Sequence, residues 1–453
     1  MLNEESISGR GEESAEYGKR QDFPTLDCVE SRFLSLPEKR VRGHFFRGGA
    51  SKGMMSHRIS WPLFLFILCV SVFFSGLSLA APGSQGKRLG YIDFGYITGT
   101  LIPSGNPWDP ESVRQVIREN LELHVDAGFN EVYIVSIYLP LVYPSEKENT
   151  LFDEELALKM SGSARITYLN MWRTSLVVKE SDPFGIAVEE AHKLGLAVYG
   201  GYRMNDNVLH GLWNYPEEFW SMFEDEFHKE HPEYWIRTPD PDPGLVRTRP
   251  LSYAYPEVRR QKVEVLVEQA LKYDVDGLIL DFMRFEYVSG FDPPAVDEFR
   301  NKYGEEPTEE DERWWQIRCS YVIALLEELA EALAAHGKSD LRIGIRVPVA
   351  QGSTYMRGVL PKAVGTDPIR NALFLGFDLR EIAERGLVDF IILGEIRSQG
   401  IIPYPTKPFV ELLAPYDVEL YAGFQDEKMG YMAYQQSLTD LSLWYRLWTR
   451  TFQ

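Results

Sequence analysis

The segment YDVDGLILDFMRF, residues 273–285, places an ionisable side chain directly after a short apolar run. The run Leu278, Ile279 and Leu280 is typical of a parallel strand that is covered on both faces. Asp281 follows it, and α/β barrels carry their chemistry at the carboxyl ends of such strands. A carboxylate there is costly unless it is paired or used, so Asp281 is the first candidate catalytic residue. The alternative is a structural ion pair with Arg203 or Arg284.

A second carboxylate, Glu395, follows the apolar run of VDFIILG, residues 388–394. The carboxyl ends of parallel strands meet at one edge of a barrel, so the two acids are expected at the same opening. Two carboxylates, one ionised and one able to hold a proton, are what glycoside cleavage requires. The pattern therefore predicts Asp281 as nucleophile or base and Glu395 as the acid.

Other polar side chains follow the predicted strands and are expected around the same opening. We interpret them as substrate-binding residues: Arg203, Asn205, Asp206, His210, Arg284, Arg346 and Arg397. The arginines either orient the acids or bind an anionic sugar such as a uronate, because guanidinium groups meet carboxylates in bidentate fashion. Trp172 and Trp213 lie in long loops and could stack on sugar rings, as could Tyr202, Tyr234 and Trp235, or each could pack under its own loop.

Strand-like and helix-like segments alternate from Lys87 onward, and they predict an α/β protein with a parallel sheet. The predicted strands span 89–98, 131–139, 196–204, 277–283, 341–349, 388–394 and 418–424. A (β/α)8 TIM barrel with long loops after strands 2 and 3 is the natural closure. No eighth strand is identified, so we expect a truncated chain or a lost reading frame near the end. A doubly wound open sheet is the structural alternative.

The region before the barrel divides into two predicted segments. Residues 1–53 are polar and predict a disordered extension or a start codon assigned too early, and residues 54–81 predict a signal peptide or a membrane anchor. The apolar run 59–80 ends in Ser78-Leu79-Ala80, a small-x-small cleavage pattern. The catalytic barrel is assigned to 87–453. We expect a secreted or periplasmic protein, or one anchored to the membrane if residues 59–80 stay uncleaved.

Composition excludes several classes of function. The 453 residues carry a formal net charge of −20, which argues against a nucleic-acid partner. There is no dinucleotide or phosphate-binding glycine motif, no HExxH and no GxSxG elbow, so no cofactor is predicted. His228 and His231 are three residues apart without a clear third ligand, and no metal site is predicted. Of 3 cysteines, only Cys319 lies in the predicted barrel.

The chain resembles the bacterial glycosyl-hydrolase-like TIM-barrel proteins of the glycosyl-hydrolase-like 10 type. The matching segments are RMND (203–206), HPEYW (231–235), YAYPEVR (253–259), YDVDGLILDFMRF (273–285) and GLVDFII (386–392). The resemblance covers roughly residues 88–425. It implies a barrel fold, an extracellular glycosidase activity and a principal catalytic role for Asp281.

Residues 276–283 are also similar to the strand-4 signature DGxDxDxE of chitinase-like barrels. Two acidic positions of that signature are replaced, by Ile279 and Met283, and Met283 stands where the proton donor would be. Carboxylates on strands 4 and 6 look more like several retaining α-glycosidase families. The resulting prediction is a glycoside hydrolase acting on an oligo- or polysaccharide. A carbohydrate-binding barrel without catalysis is the alternative.

Overall fold

The computed structural model describes nine stretches of the chain, all within the unit formed by residues 82–453. They are residues 86–93, 110–135, 143–147, 176–204, 226–238, 249–283, 288–348, 367–394 and 406–423. The predicted segments 1–53 and 54–81 lie outside these stretches, and so do residues 424–453, which follow the seventh predicted strand. In the described part of the chain, none of the helices has the length and apolarity needed to cross a membrane.

Seven parallel strands form one sheet in which the spatial order equals the order along the chain. They are β1 Leu89–Asp93, β2 Glu131–Val135, β3 Ala197–Arg203, β4 Gly277–Asp281, β5 Arg342–Pro348, β6 Phe390–Gly394 and β7 Glu419–Ala422. A doubly wound sheet reverses its strand order at a switch point. This sheet has no reversal, so the fold is the predicted α/β barrel type and the open-sheet alternative is wrong.

Side-chain contacts between distant strands show that the sheet is curled. Neighbouring strands lie about 4.8 Å apart, so β1 and β5 would be roughly 19 Å apart in a flat sheet. The guanidinium carbon of Arg346 on β5 nevertheless lies 4.9 Å from the ring centre of Tyr91 on β1. The hydroxyl of Tyr421 on β7 likewise lies 2.9 Å from the Glu131 carboxylate on β2. The strands therefore enclose a common interior.

Helices follow the strands and pack outside the sheet. They are α1 Pro110–Asp126, α2 Pro183–Lys193, α3 Glu226–Glu230, α4 Pro256–Lys272, α5 Pro293–Tyr303, α6 Glu312–Ala335, α7 Pro368–Phe374, α8 Leu379–Glu384 and α9 Lys407–Leu413. The Asp182-Pro183 pair in the sequence predicts a helix start with the acid as N-cap, and α2 confirms it, because the Asp182 side chain accepts a hydrogen bond from the Gly185 amide. The sequence pattern indicates no helix at α3, α5, α7 or α9. It predicts a helix around 377–386, whereas α8 spans Leu379–Glu384 and is two residues shorter at each end.

The amino-terminal ends of the strands are joined by a repeated side-chain contact. The residue before β2, Asn130, accepts a hydrogen bond from the Arg88 amide, 2.8 Å away. Before β4, Asp276 accepts from the Val198 amide on β3 at 2.7 Å. Before β6, Asp389 accepts from the Ile343 amide on β5, also at 2.7 Å. Each contact fixes an even-numbered strand to the preceding odd-numbered one, which is a structural role for these side chains.

A partly buried polar cluster, the base cluster, lies at this same end of the sheet. It consists of Glu131, Tyr199, Arg342, Glu419 and Tyr421. Arg342 donates to the Tyr199 hydroxyl at 2.6 Å and pairs with Glu419 at 2.9 Å. Glu131 accepts from both tyrosines, at 3.3 and 2.9 Å. Because these contacts connect β2, β3, β5 and β7, the base cluster holds the curled sheet together.

Candidate active site

Three charged side chains lie at or near the carboxyl ends of adjacent strands. Arg203 on β3 pairs in register with Asp281 on β4, and Asp281 pairs in register with Arg346 on β5. Residues in register on neighbouring parallel strands lie side by side on the same face of the sheet. The topology therefore brings three of the predicted site residues to one point. This edge is where α/β barrels carry their active sites.

Asp281 is completely buried, with 0% of its surface exposed. Its Oδ2 lies 2.9 Å from Nη1 of Arg346, and its Oδ1 accepts a hydrogen bond from the Met283 amide at 2.9 Å. The structural alternative considered for Asp281 was a pair with Arg203 or Arg284. Arg284 lies outside the described stretches, and among the described residues the ion pair of Asp281 is with Arg346. Both carboxylate oxygens accept from N–H donors, which suits a carboxylate better than a proton donor.

Tyr91, on the inner face of β1, connects the two arginines. Nη2 of Arg203 donates to the Tyr91 hydroxyl at 2.6 Å. The Arg346 guanidinium lies over the face of the same ring, 4.9 Å from its centre. A cation over a tyrosine face is attracted by the ring quadrupole, more strongly where water is excluded. Tyr91 therefore helps to hold both arginines in place, including Arg346, which pairs with Asp281.

Tyr133 on β2 is a second tyrosine of this interior that sequence reasoning did not identify. It pairs in register with Tyr91 and contacts that ring edge to face, with 5.6 Å between ring centres. Burial raises its pKa well above the ordinary tyrosine value, and the charge of Asp281 contributes in the same direction. The alternation in EVYIV does indicate which face of the strand carries Tyr133, because it places Tyr133 on the same face as Glu131 and Val135.

A kink in β3 sets the position of Arg203. Gly201 has a φ of +123°, and a Cβ there would lie 2.1 Å from the Ile279 carbonyl oxygen. The Gly201 amide donates to the Gln269 side chain on α4 at 2.5 Å. Only glycine combines this backbone conformation with such a close approach of the neighbouring strand. The kink lies two residues before Arg203 and therefore governs how the strand end enters the site.

The inward position at the end of β6 is a glycine. Phe390 and Ile392 of this strand belong to the interior cluster, and alternation then assigns Gly394 to the same face. A Cβ on Gly394 would lie 2.4 Å from the sulfur of Met283. Met283, the residue that replaces the chitinase-type proton donor, is therefore buried against the end of β6. The position of the chitinase-type proton donor is therefore occupied by an apolar side chain.

The connection after β3 carries aromatic residues that pack against each other. Trp235 donates from its indole nitrogen to the His228 carbonyl, and the Arg249 guanidinium lies 4.5 Å from its ring centre. Tyr234 stacks on the His231 ring at 4.8 Å between ring centres. Of the two interpretations given for Tyr234 and Trp235, these contacts support packing within their own loop rather than stacking on a sugar.

Asp292 joins this connection to the one that follows β4. It is fully buried and accepts from the Ser252 hydroxyl at 2.6 Å and from the amides of Gly290 and Arg237, both at 2.8 Å. Burial raises the pKa of its carboxyl group, and the three donors oppose that shift. Because these partners come from two separate loops, Asp292 positions one loop against the other beside the carboxyl edge of the sheet.

The connection after β2 is attached through Glu268 on α4. Its carboxylate accepts from the hydroxyls of Tyr143 and Ser145, at 3.2 and 2.5 Å, and from the Glu146 amide at 2.6 Å. The residues 143–147 are thereby held against the helix that leads into β4. The sequence does not indicate this role of Glu268, because the residue lies within a helix and its partners are distant along the chain.

Eight of the predicted site residues lie outside the described stretches. They are Glu395, Asn205, Asp206, His210, Arg284, Arg397, Trp172 and Trp213. The described geometry therefore concerns Asp281, Arg203 and Arg346, and the pairing of Asp281 with Glu395 stays a prediction. Within the described stretches, no group of three potential metal ligands occurs. His228 and His231 instead contact the Arg249 carbonyl and the Glu233 carboxylate.

A family model settles the relationship of this chain to known proteins. The model described as glycosyl hydrolase-like 10 matches residues 167–438, which is more than half of the 453 residues. The chain belongs to this family. The match includes β3 to β7 and so contains Arg203, Asp281 and Arg346. The resemblance suggested by RMND and YDVDGLILDFMRF is thus confirmed. No curated protein sequence matches the chain.

Solved structures with a similar fold include several glycoside hydrolases. The PgaB (BpsB) glycoside hydrolase domain from Bordetella bronchiseptica is 13% identical, with 78% of this chain and 98% of that one covered and a TM-score of 0.44. The α-L-fucosidase isoenzyme 2 from Paenibacillus thiaminolyticus is 14% identical, with 75% of this chain and 46% of that one covered and a TM-score of 0.38. The β-galactosidase from the psychrophilic Marinomonas ef1 is 10% identical, with 69% of this chain and 41% of that one covered and a TM-score of 0.37. The chain spans less than half the length of the last two.

Proposed function

We propose that this protein is a glycoside hydrolase whose active site surrounds Asp281 at the carboxyl edge of the barrel. The observation that carries the proposal is the Arg203–Asp281–Arg346 arrangement, in register on three adjacent strands. Side chains held by rigid strands, with their orientations fixed by Tyr91 and by the Gly201 kink, suit a site that must be preorganised. Membership of the glycosyl hydrolase-like 10 family supports an oligo- or polysaccharide as substrate.

In this proposal Asp281 acts as the ionised carboxylate, nucleophile or base, and Glu395 supplies the proton to the leaving group. Arg346 holds the Asp281 carboxylate before substrate binds. The remaining predicted residues would contact the glycan: Arg203, Asn205, Asp206, His210, Arg284, Arg397, Trp172 and Trp213. An anionic sugar is part of the proposal, because arginine side chains are well suited to bind its carboxylate.

The roles of the two acids can be separated by the leaving group of the substrate. A leaving group that is already stable as an anion needs no proton, so loss of the acid matters less for it. The wild type, Asp281→Asn and Glu395→Gln would be assayed on phenyl and 2,4-dinitrophenyl glycosides. We expect Glu395→Gln to retain most activity on the dinitrophenyl glycoside alone, and Asp281→Asn to lose activity on both. Equal losses on both substrates for Glu395→Gln would contradict its assignment as the acid.

A non-catalytic carbohydrate-binding barrel is the second candidate function. It is favoured by one observation, that Asp281 is completely buried with both oxygens already engaged. The two functions differ on a panel of oligosaccharides read both for binding and for product anomers by NMR. An enzyme releases products with a defined anomeric configuration, whereas a binding protein retains the glycans unchanged.

We also propose that the protein is exported, with residues 59–80 as a signal peptide or as a membrane anchor. The support is the apolar run itself and the small-x-small pattern at Ser78-Leu79-Ala80. Mass spectrometry of the protein expressed with its own amino terminus distinguishes the two forms. A new amino terminus at Ala81 indicates cleavage, whereas an intact run in the membrane fraction indicates an anchor. An intact chain in the soluble cytoplasmic fraction would contradict export.

A further inference from the structure

Tyr133 carries a polar group that the mechanism so far does not use. Only 1% of the residue is exposed, and its hydroxyl has no hydrogen-bond partner among the residues that the structure describes. A buried hydroxyl without a partner is unfavourable, and native proteins rarely retain one without a functional reason. Phenylalanine would fill the same space without this cost. The hydroxyl is therefore expected to be used in another state of the protein.

Asp281 is the group most in need of such a donor during catalysis. Its Oδ2 is occupied by Arg346 in the free protein. A nucleophile or base must free one oxygen from that contact, and a carboxylate freed in a buried site needs a replacement donor. Tyr133 lies on the inner face of the same barrel and contacts Tyr91, the ring on which Arg346 rests. The Arg346–Tyr91–Tyr133 contacts thus link the present partner of Asp281 to the unused donor.

We propose that Tyr133 is a positioning residue whose hydroxyl donates a hydrogen bond to Asp281 once a bound glycan has drawn Arg346 away. This inference rests on the proposed glycoside hydrolase function. The hydroxyl stabilises the ionised carboxylate in the complex and holds it in one orientation while Arg346 is engaged elsewhere. No covalent change at Tyr133 is involved.

The variant Tyr133→Phe removes the hydroxyl and leaves the ring. Since the bond forms only in the complex, we expect kcat to fall about 10- to 100-fold, the range for a lost hydrogen bond to a charged group. A carboxylate that loses a donor is less stable in its ionised form, so the acid limb of the kcat profile should move to higher pH. The kcat/KM profile reports the free enzyme, and its acid limb should not move.

Tyr199→Phe is the matched control. Tyr199 pairs in register with Tyr133 on the neighbouring strand and is also buried. Its hydroxyl, however, accepts from Arg342 and donates to Glu131 in the base cluster, so it already has two partners in the free protein. We expect Tyr199→Phe to lower the melting temperature and to leave the kcat profile in place. Tyr133→Phe should melt no lower than the wild type, because it loses no bond of the free protein.

The experiment uses the full chain and the p-nitrophenyl glycoside that the wild type cleaves fastest in a panel of neutral and uronate glycosides. This inference is overturned if Tyr133→Phe leaves kcat unchanged, leaves the acid limb in place or lowers the melting temperature. If the wild type is active in the same assay, the proposed function still holds in that case. A wild type that cleaves no glycoside in the panel would contradict the proposed function and the role of Tyr133 with it. The predicted combination is lower kcat, a shifted acid limb and undiminished stability.

Discussion

Asp281 and Arg346 form a buried ion pair between the ends of β4 and β5, with 2.9 Å between Oδ2 and Nη1. Neither side chain is appreciably exposed, so the charges depend on each other and on the nearby backbone donor. A buried pair of this kind contributes little net stability compared with apolar residues, whereas the loss of one partner is strongly destabilising. The pair is therefore better explained by the site than by the fold.

The ion pair predicts that replacing one of its two residues lowers the free energy of unfolding more than replacing both. Asp281→Asn removes the carboxylate that pairs with the buried Arg346 guanidinium, and we expect the free energy of unfolding to fall by about 3–5 kcal/mol. Adding Arg346→Met removes the other charge of the pair, so the double variant should recover most of that loss. Urea unfolding of the two single variants and the double variant measures this coupling. Additive losses in the double variant would show that the two side chains do not depend on each other.

Most of the fold could be predicted from the chain, because its signals are local. The apolar runs of β4 and β6 and the Asp182-Pro183 helix start each depend on neighbouring residues only, and the structure confirms them. The short helices α7 and α9 were missed because seven residues hardly establish a helical period. Closure through the base cluster was also missed, since contacts between β2 and β7 leave no local pattern.

The site was only partly predictable for the same reason. Asp281 and Arg346 could be proposed from strand ends, but their pairing required the register between β4 and β5. Tyr91 and Tyr133 look like ordinary apolar strand residues in the sequence. Their roles follow from the curvature that brings β1 opposite β5, which no single segment encodes. Asp292 was overlooked because its three partners come from two different loops.

The kink in β3 predicts that Gly201 cannot be replaced. Gly201→Ala adds a Cβ 2.1 Å from the Ile279 carbonyl at a φ of +123°. We expect a loss of about 3 kcal/mol or more in unfolding free energy, because strain and overlap act together. Gly195→Ala is the control, since that glycine also has a positive φ but has no neighbouring atom within 4 Å. Similar losses for both variants would mean that the close strand approach has no effect.

The base cluster predicts a residue that matters for stability and not for activity. Glu131→Gln replaces a buried carboxylate that accepts from Tyr199 and Tyr421. We expect a loss of about 1–3 kcal/mol in unfolding free energy with unchanged kcat, because this end of the barrel is remote from Asp281. Glu122→Gln on the surface of α1 should change neither quantity. A Glu131→Gln variant with full stability but altered kcat would contradict the assignment.

His124 predicts a loss of stability at mildly acidic pH. Burial lowers its pKa below the ordinary histidine value, and its ring packs beside Gly90 and Phe129. Below about pH 6.5 the unfolded chain binds a proton that the folded protein does not, so stability falls as the pH falls, by at most about 1.4 kcal/mol per pH unit. Urea titrations between pH 5 and 7.5 should show this slope in the wild type and a shallower one in His124→Leu. Replacement of the exposed His336 by Gln should leave the slope in place, and an unchanged slope in His124→Leu would contradict the prediction.

The central claim is that catalysis takes place at the carboxyl edge around Asp281. Its most direct test compares this residue with Asp276, the aspartate just before β4. Asp281→Asn and Asp276→Asn alter opposite ends of β4, and the hydrolysis rate of the glycoside that the wild type cleaves fastest is measured for both once folding is verified. We predict a loss on the order of 10⁴-fold or more for Asp281→Asn with glycan binding retained. Asp276→Asn should stay within about tenfold of the wild-type rate. A folded Asp281→Asn variant that hydrolyses the glycoside at the wild-type rate would contradict the claim.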